Sequence, residues 1–196
     1  MGKIIIIMGT TCSGKDTVLN KLLNRGYKKL VSYTTRPMRF GEVDHEAYNF
    51  VTKEQFDEDI VNDQVIEHRE YNVSDGSTWY YYFRKEELDL TKDNYVCIAD
   101  VGGTRDLVKY FGEANTKVVL IDTPLQECIT RALVRDGTSV LKVKETCRRM
   151  VSDIEEFVEE DKAYKLATYV HDNSAMSTDK SFDKLMSLFE YLEGEN

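Results

Sequence analysis

The chain begins with an unbroken apolar run that leads directly into a glycine-rich turn, and this order constrains the fold more than any other feature. Residues 4–8 read IIIIM, and a run without polar alternation is typical of a parallel strand buried on both faces. The following stretch, DTVLNKLLNRG, has helical periodicity and ends at Gly26. The sequence therefore predicts a strand, a glycine-rich loop and a helix in succession.

The glycine-rich turn resembles the phosphate-binding loop pattern G-x-x-x-x-G-K-[ST]. In such a loop, backbone N–H groups and the helix N-terminus surround the phosphates of a nucleotide, and the lysine reaches the terminal phosphates. We predict that this segment binds ATP through Gly9, Thr10, Thr11, Cys12, Ser13, Gly14, Lys15, Asp16 and Thr17.

The residue after the lysine departs from the pattern. Asp16 stands where a hydroxyl is expected, and Thr17 carries the hydroxyl one position later. Asp16 has three interpretations: an acid that stabilises the helix N-terminus, a ligand that approaches magnesium directly or through water, or a charge that repels phosphate and inactivates the site. We favour the second, with the first operating alongside it, because a carboxylate is a hard oxygen ligand. Asp16 is therefore the candidate metal ligand.

Further apolar runs at 95–100, 117–122 and 166–170 are separated by stretches long enough for helices. This alternation predicts an α/β fold with a parallel central sheet of about five strands flanked by helices. The last segment has the periodicity of a helix with one apolar face, which indicates core packing. The residues of that face are Phe182, Leu185, Met186, Phe189 and Leu192.

Two regions interrupt the alternation of strands and helices. Residues 33–90 are polar and rich in aromatic residues, and their turn-like and alternating patches predict a small β-containing lobe. Residues 135–160 are highly charged, and we interpret them as a helical lid, with a solvated helical face as the alternative. The remaining segments of the single expected domain, 1–32, 91–134 and 161–196, would form its core.

Charge and composition exclude several classes of protein. A net charge of −9 argues against a nucleic-acid-binding surface, which is normally basic. No apolar run is long enough to cross a membrane. Four cysteines and three histidines are scattered without the spacing of a zinc site or a disulfide framework. We therefore expect reduced thiols, a cytoplasmic location and small-molecule partners.

A second motif lies in SYTTRPMRFGEVDHEAYNF, residues 32–50. It carries the T-T-R-x-x-R-x-G-E and Y-x-F segments of the guanylate kinase family, as Thr34-Thr35-Arg36, Arg39, Gly41-Glu42 and Tyr48-Asn49-Phe50. Together with the loop, this motif makes the chain similar to guanylate kinases over nearly its whole length. The resemblance implies a P-loop kinase fold in which residues 33–90 form a GMP-binding lobe and residues 135–160 form the lid.

The resemblance also implies roles for individual residues. Arginine side chains would hold the acceptor phosphate with paired donors, and Glu67 would accept from the N1–H and amino group of guanine, which adenine cannot match. The implied GMP-binding set is Ser32, Arg36, Arg39, Glu42, Tyr48, Glu67, Tyr81 and Asp100. Phosphoryl transfer needs cations around the moving group, so the catalytic set is Lys15, Arg36, Arg131, Arg135 and Arg149, with Arg148 able to exchange roles with Arg149.

Two segments depart from the family pattern besides Asp16. Ile98 replaces the first aspartate of a D-x-D segment, and the usual Y-Y-G-[ST] reads WYYYF, so that Phe83 lacks a guanine-contacting hydroxyl. The nearby SDGST could fold back to supply Ser77 or Thr78 instead. These departures bear on how strictly the chain selects GMP.

The resemblance implies transfer of the terminal phosphoryl group of ATP to GMP or dGMP with Mg²⁺, by a monomer or a homodimer. Two alternatives stay open. A related kinase of ribose 1,5-bisphosphate would not need the base-binding Glu67. A non-catalytic binding module of the same fold typically lacks the loop lysine and the lid arginines, which this chain keeps.

Overall fold

The computed structural model describes residues 3–72, 76–158, 162–174 and 179–194, with some side chains of the last helix and that of Leu141 outside the description. In chain order its elements are β1 (Ile4–Met8), α1 (Lys15–Leu23), β2 (Lys28–Lys29), β3 (Tyr33–Thr34), β4 (Asn49–Phe50), α2 (Lys53–Val61), β5 (Val65–Asn72), β6 (Thr78–Arg84), β7 (Tyr95–Ile98), α3 (Val101–Phe111), β8 (Thr116–Asp122), α4 (Leu125–Asp136), α5 (Val140–Asp153), a π-helical segment (Ile154–Val158), α6 (Lys162–Leu166), β9 (Tyr169–Asp172) and α7 (Asp179–Gly194).

Five strands form a parallel sheet in the order β2-β7-β1-β8-β9, which confirms the predicted α/β fold. The central strand is β1, and all five of its residues are fully buried. Ile4 and Ile6 pack on one face of the sheet with Leu107 of α3. Ile5 and Ile7 pack on the other face with residues of α1 and α7. Because both faces are covered, every position of the strand must be apolar, which is why the run shows no alternation.

The region between β2 and β7 forms a second sheet in the order β4-β3-β6-β5, accompanied by α2. Its interior is aromatic: Phe56 of α2 stacks on Tyr80 with ring centroids 4.4 Å apart. The hydroxyl of Tyr82, which is fully buried, donates to Asp59 over 2.8 Å. The polar, aromatic composition of residues 33–90 thus corresponds to a β-sheet with its own small core.

The charged region is helical, as α4 ends at Asp136 and α5 runs from Val140 to Asp153 before the π-helical segment. The last predicted strand begins later than expected, because Leu166 lies in α6 and β9 starts at Tyr169. On α7, Leu185, Met186 and Phe189 are buried as predicted, whereas the side chains of Phe182 and Leu192 lie outside the described part. In the described residues, no helix has the length and apolar character needed to span a membrane.

Candidate active site

A cavity of about 530 Å³ lies where the carboxyl ends of β1 and β7 face the second sheet and α5. Open α/β sheets bind ligands at this end of their strands. The glycine-rich loop contributes Gly9, Thr11 and Lys15 to its wall. The second sheet and the segment after β7 contribute most of the opposite wall, and α5 closes one side. Three segments that are distant in the sequence therefore face one volume.

The glycine-rich loop is held by residues for which only glycine leaves room. Gly9 has φ +149°, and a Cβ there would lie 2.7 Å from the carbonyl oxygen of Ile121. Gly14 has φ +103°, and a Cβ there would lie 2.5 Å from Nδ2 of Asn173. Both positions require the left-handed conformation and the space that a side chain would fill. The loop therefore passes closely over the ends of β8 and β9.

Lys15 lies at the mouth of this loop. Its Nζ donates to the carbonyl oxygens of Gly9 at 2.8 Å and Thr10 at 2.7 Å. Burial lowers the pKa of Lys15, and the carboxylates of Asp153 and Asp16 oppose that change. Asp153, at the end of α5, also accepts a hydrogen bond from the backbone N–H of Thr11. A carboxylate of α5 thus accepts from one backbone N–H of the loop, and its charge acts on the Lys15 ammonium, where the loop would hold phosphate.

The other side of the loop borders a second cavity of about 430 Å³. Cys12, Asp16 and Thr17 line it together with Arg131 and Arg135 of α4. Nη2 of Arg131 donates to the carbonyl of Asn173 at 2.8 Å, and its Nη1 approaches the carbonyl of Ser13 at 3.3 Å. Nε of Arg135 donates to Asp136 at 2.7 Å. The two predicted arginines of α4 are therefore assembled against the loop.

Three predicted loop residues, Thr10, Ser13 and Asp16, are not part of the wall of the large cavity. The hydroxyl of Thr10 lies 3.4 Å from Sγ of Cys128. Ser13 is fully buried, and its hydroxyl has no hydrogen-bond partner among the described residues. Asp16 is exposed in the first turn of α1. The described residues contain no group of three or more His, Cys, Asp or Glu side chains suited to a metal ion.

Arg36 is buried next to Tyr48, whose ring lines the large cavity. It is 3% exposed, its Nη2 donates to Glu42 at 2.8 Å, and its guanidinium lies 5.4 Å from the ring centre of Tyr48. Glu42 also accepts from the backbone N–H of Arg39 at 2.7 Å. Burial opposes ionisation of Glu42, but these two donors together hold its pKa below the ordinary value. Glu42 therefore supports Arg36.

Tyr48 and Tyr81 line the cavity, with ring centroids 5.5 Å apart. Burial raises the pKa of Tyr48, so its hydroxyl is a proton donor at neutral pH. The side chain of Arg39 is exposed and is not part of the cavity wall. Of the residues predicted to hold an acceptor phosphate, the two tyrosines line the cavity, Arg36 is buried beside Tyr48 without being part of the cavity wall, and Arg39 lies outside.

Two carboxylates line the cavity. They are those of Glu67 and Asp100, and the predicted Ser32 lines the cavity as well. Asp100 is the N-cap of α3 and accepts from the backbone N–H of Gly103 at 2.6 Å. Burial raises the pKa of Glu67 to about 7, partly opposed by the charge of Arg69. These carboxylates can therefore accept hydrogen bonds from a ligand edge that presents two N–H groups.

Helix α5, in the region predicted to form a lid, places both predicted return arginines on the cavity. Arg148 and Arg149 line it, and both donate to Glu145, at 2.9 Å and 3.0 Å. Hydrogen bonds from Arg148 lead the effects that lower the pKa of Glu145 to about 2. Arg148 also lies 5.8 Å from the ring centre of Tyr71 on β5. The choice between Arg148 and Arg149 stays open, because both face the same volume.

Sequence reasoning missed several residues of the site. Arg69 and Tyr71 lie two and four residues beyond Glu67, and strand periodicity would have placed them on the same face of β5. Asp153 and Glu156 belong to the charged region, and nothing in its pattern distinguished them from solvated residues. Oε1 of Glu156 accepts from the backbone N–H of Val101 at 2.9 Å, so it joins the lid to the N-terminus of α3.

The residues at two positions that depart from the family pattern, Phe83 and Ile98, are apolar, and the hydroxyl groups that could replace a missing one lie outside the cavity wall. Phe83 is 4% exposed and packs into the hydrophobic core. Ile98 lines the cavity at the end of β7. The hydroxyl of Thr78 donates to Asn72 across the β5–β6 hairpin at 3.0 Å, and neither Thr78 nor Ser77 belongs to the cavity wall. Of the hairpin residues that the structure describes, neither Ser77 nor Thr78 therefore brings a replacement hydroxyl to the cavity wall.

Comparisons with known proteins agree with this geometry. The sequence model of the family described as guanylate kinase matches residues 1–190. A guanylate kinase of Helicobacter hepaticus is 32% identical over 147 residues, which are 74% of this chain and 72% of the relative. One of Chlorobaculum tepidum is 29% identical over 152 residues, 76% of each chain. The crystal structure of guanylate kinase from Anaplasma phagocytophilum has the same fold, with a TM-score of 0.69 at 22% identity over 97% of this chain and 85% of that one. The chain belongs to the guanylate kinase family.

Proposed function

We propose that this protein transfers the terminal phosphoryl group of ATP to GMP or dGMP, giving ADP and GDP or dGDP. One observation carries the proposal: the loop lysine Lys15 and the carboxylates Glu67 and Asp100 line a single cavity. The lysine suits the terminal phosphates of a donor nucleotide. The carboxylates suit the N1–H and amino group of guanine, since adenine offers an acceptor at N1.

The reaction follows from placing the two nucleotides in this volume. The acceptor phosphate would lie against Tyr48 and Tyr81, beside Arg36. The guanine of the acceptor would lie at Glu67, and the terminal phosphates of ATP would lie at the glycine-rich loop. One oxygen of the acceptor phosphate forms a bond to the γ-phosphorus of ATP while the bond to the β-phosphate oxygen breaks, and ADP leaves with that electron pair. The attacking oxygen already carries negative charge at neutral pH, so this transfer needs no general base.

Cations supply the catalytic effect in this proposal, because negative charge is spread over the transferred group in the transition state. Lys15 contacts the phosphates from the loop, and Arg131 and Arg135 approach from α4. Arg149 and its neighbour Arg148 approach from α5, where Glu145 holds them in the absence of nucleotide contacts. Exchange of Glu145 for phosphate oxygens would replace one anionic partner by another, so the guanidinium groups stay paired throughout.

Magnesium would enter with ATP and neutralise charge on its phosphates. Asp16 fits this ion, because it is an exposed carboxylate in the first turn after the loop and carboxylate oxygen is a ligand that magnesium accepts. Asp16 is the residue that we propose to hold the ion, either directly or through water.

The same proposal divides the chain into moving parts. Residues 33–90 form the acceptor lobe and residues 135–160 form the lid, while the parallel sheet stays rigid between them. Contact between Arg148 of the lid and Tyr71 of the lobe supports closure over the cavity, which would exclude water that competes for the phosphoryl group. The cytoplasmic location and the monomeric or homodimeric state stay predictions.

The test is ATP-dependent phosphorylation of GMP, dGMP, AMP, UMP and ribose 1,5-bisphosphate in the presence of magnesium, with Lys15→Ala as the blank. We expect turnover of GMP or dGMP that depends on Lys15. Turnover of the bisphosphate alone would assign the protein to a different kinase activity. Failure of all five acceptors, with ATP still bound, would favour a binding module.

A further inference from the structure

Arg69 is a cation that was not predicted from the sequence, and it lies in the cavity wall with Glu67 and Asp100. Its Nη1 lies 3.3 Å from Oε2 of Glu67, its Nε 3.3 Å from Oδ2 of Asp100, and its Nη2 3.6 Å from Oδ2 of Asp106. The backbone carbonyl of His68 also accepts from Nη1 at 2.8 Å. All three guanidinium nitrogens therefore face oxygen atoms, and two of the three carboxylates, Glu67 and Asp100, belong to the predicted GMP-binding set.

The start of α3 leaves room for this arrangement. A Cβ on Gly102 would lie 2.2 Å from Nη2 of Arg69, and a Cβ on Gly103 would lie 3.4 Å from Oε2 of Glu67. Neither glycine has the positive φ that would by itself require glycine. The side-chain space at Gly102 is instead occupied by Arg69, and Glu67 lies in ordinary contact distance of Gly103. The ion pair is thus accommodated by the backbone of a second element and does not lie loosely on the surface of β5.

We propose that Arg69 is a positioning residue that sets acceptor-base specificity, because its guanidinium orients Glu67 and favours the carboxylate form that guanine requires. This inference rests on the proposed function. Arg69 is not required to contact the nucleotide. It acts through Glu67, whose buried Oε2 lies 3.3 Å from Nη1 of Arg69 and makes no hydrogen bond among the described residues.

The chemistry explains why the protonation state of Glu67 matters. A carboxylate accepts from both N1–H and the amino group of guanine. A protonated carboxyl group donates through O–H and accepts through C=O, and this pair matches N1 and the amino group of adenine. Protonation of Glu67 would therefore convert a guanine-selective site into one that fits adenine, without any change of shape.

Most groups around Glu67 disfavour its charged form, and Arg69 opposes them. Burial disfavours the charged form, and the negative charges of Asp100 and Asp106 disfavour it further. The apolar neighbours Phe83 on β6 and Cys97 on β7 offer no positive charge, although the backbone of Phe83 hydrogen-bonds to Glu67. Glu156 faces Asp100 from the lid side and adds another acid. Among the charged groups that face Glu67 in the described structure, Arg69 is the cation.

The experiment compares the wild type with Arg69→Met and Arg69→Lys, measuring kcat and KM for GMP and AMP from pH 6 to 9. Arg69→Met should raise KM for GMP at least about tenfold at pH 7, with kcat changed less than about threefold, and the increase should shrink as the pH rises. Its preference for GMP over AMP should be lower than that of the wild type at each pH and lowest at pH 6. Arg69→Lys should restore most of the GMP affinity, because it keeps a positive charge near Glu67.

The matched control is Arg84→Met. Arg84 lies in the same sheet and pairs with Asp59 at 3.5 Å, but it is not part of the cavity wall, so its removal should leave the pH profile of KM unchanged. Isothermal titration of GMP into Arg69→Met at pH 6 and 8 gives the same information without turnover. Circular dichroism checks that each variant is folded.

A KM increase in Arg69→Met that is equal at every pH, or an unchanged KM, would overturn the role of Arg69 while leaving the kinase activity of the wild type intact. Absence of GMP turnover and GMP binding in the wild type would instead overturn the proposed function, and this inference with it. The two failures are therefore distinguishable within one set of measurements.

Discussion

Glu67→Gln should stabilise the protein while weakening its binding of GMP. Glu67 has a side chain that is 5% exposed, and burial raises its pKa from an ordinary 4.5 to about 7 in the folded state. The folded protein therefore binds a proton more tightly at this site than the unfolded chain does. Between pH 4.5 and 7, unfolding releases that proton, and the contribution of Glu67 to the free energy of unfolding falls as the pH rises.

The size of the effect follows from the two pKa values. Each pH unit between them is worth about 1.4 kcal/mol, so ionised Glu67 costs the folded protein about 3 kcal/mol at pH 8 and about 1 kcal/mol at pH 5. Glutamine has nearly the same shape and no charge to ionise. The free energy of unfolding of Glu67→Gln should therefore exceed that of the wild type by a margin that grows by about 2 kcal/mol from pH 5 to pH 8.

The assay is urea unfolding followed by circular dichroism at pH 5, 6, 7 and 8, with Glu87→Gln as the control for the loss of one exposed negative charge. A margin that is constant with pH would refute the reasoning, because it would mean that the protonation of Glu67 is not linked to folding. A margin that shrinks toward pH 8 would mean that folding lowers the pKa of Glu67 instead of raising it. GMP titration of the same samples should show weaker binding at pH 8, since glutamine presents a donor where guanine also presents one.

Three further changes have defined outcomes. Asp16→Ala should raise the magnesium concentration needed for half-maximal turnover well above that of Asp16→Ser, and equal magnesium titrations would exclude Asp16 as a ligand. Asp153→Asn should lower the Kd of ATP about threefold to tenfold, measured by calorimetry, because it removes the negative charge beside Lys15 and Thr11; an unchanged or higher Kd would contradict a competition between Asp153 and phosphate. Phe189→Ala, at a fully buried position, should lower the free energy of unfolding by about 3–5 kcal/mol, and a loss below about 1 kcal/mol would mean that α7 is not part of the core.

The sequence predicted the parts of the molecule that depend on local pattern. The run from Ile4 to Met8 could be recognised as a doubly covered strand, because burial on both faces removes every polar residue. The loop ending at Lys15 could be recognised because its chemistry needs glycines at fixed spacing. The start of β9 was misplaced, since Leu166 packs equally well against the core from the end of α6 as from a strand.

The charged groups of the site were harder to predict, because their meaning depends on which elements meet. Arg69 reads as a surface residue until β5 is placed against the start of α3. Asp153 reads as one acid among many until α5 is placed over the loop. Charge runs carry no periodic signal that separates a solvated face from a binding surface. The arginines of α4 and α5 were identified through the family resemblance.

Two acids at the π-helical segment Ile154–Val158 attach the end of α5 to different parts of the molecule. Asp153, directly before the segment, accepts from the backbone N–H of Thr11 in the loop, and Glu156, within it, accepts from the backbone N–H of Val101 at the start of α3. One residue of an α-helix corresponds to about 1.5 Å along the axis and about 100° around it, and π-helical winding spaces its residues differently. The winding of this segment therefore sets the separation and the relative direction of the two carboxylates that attach α5.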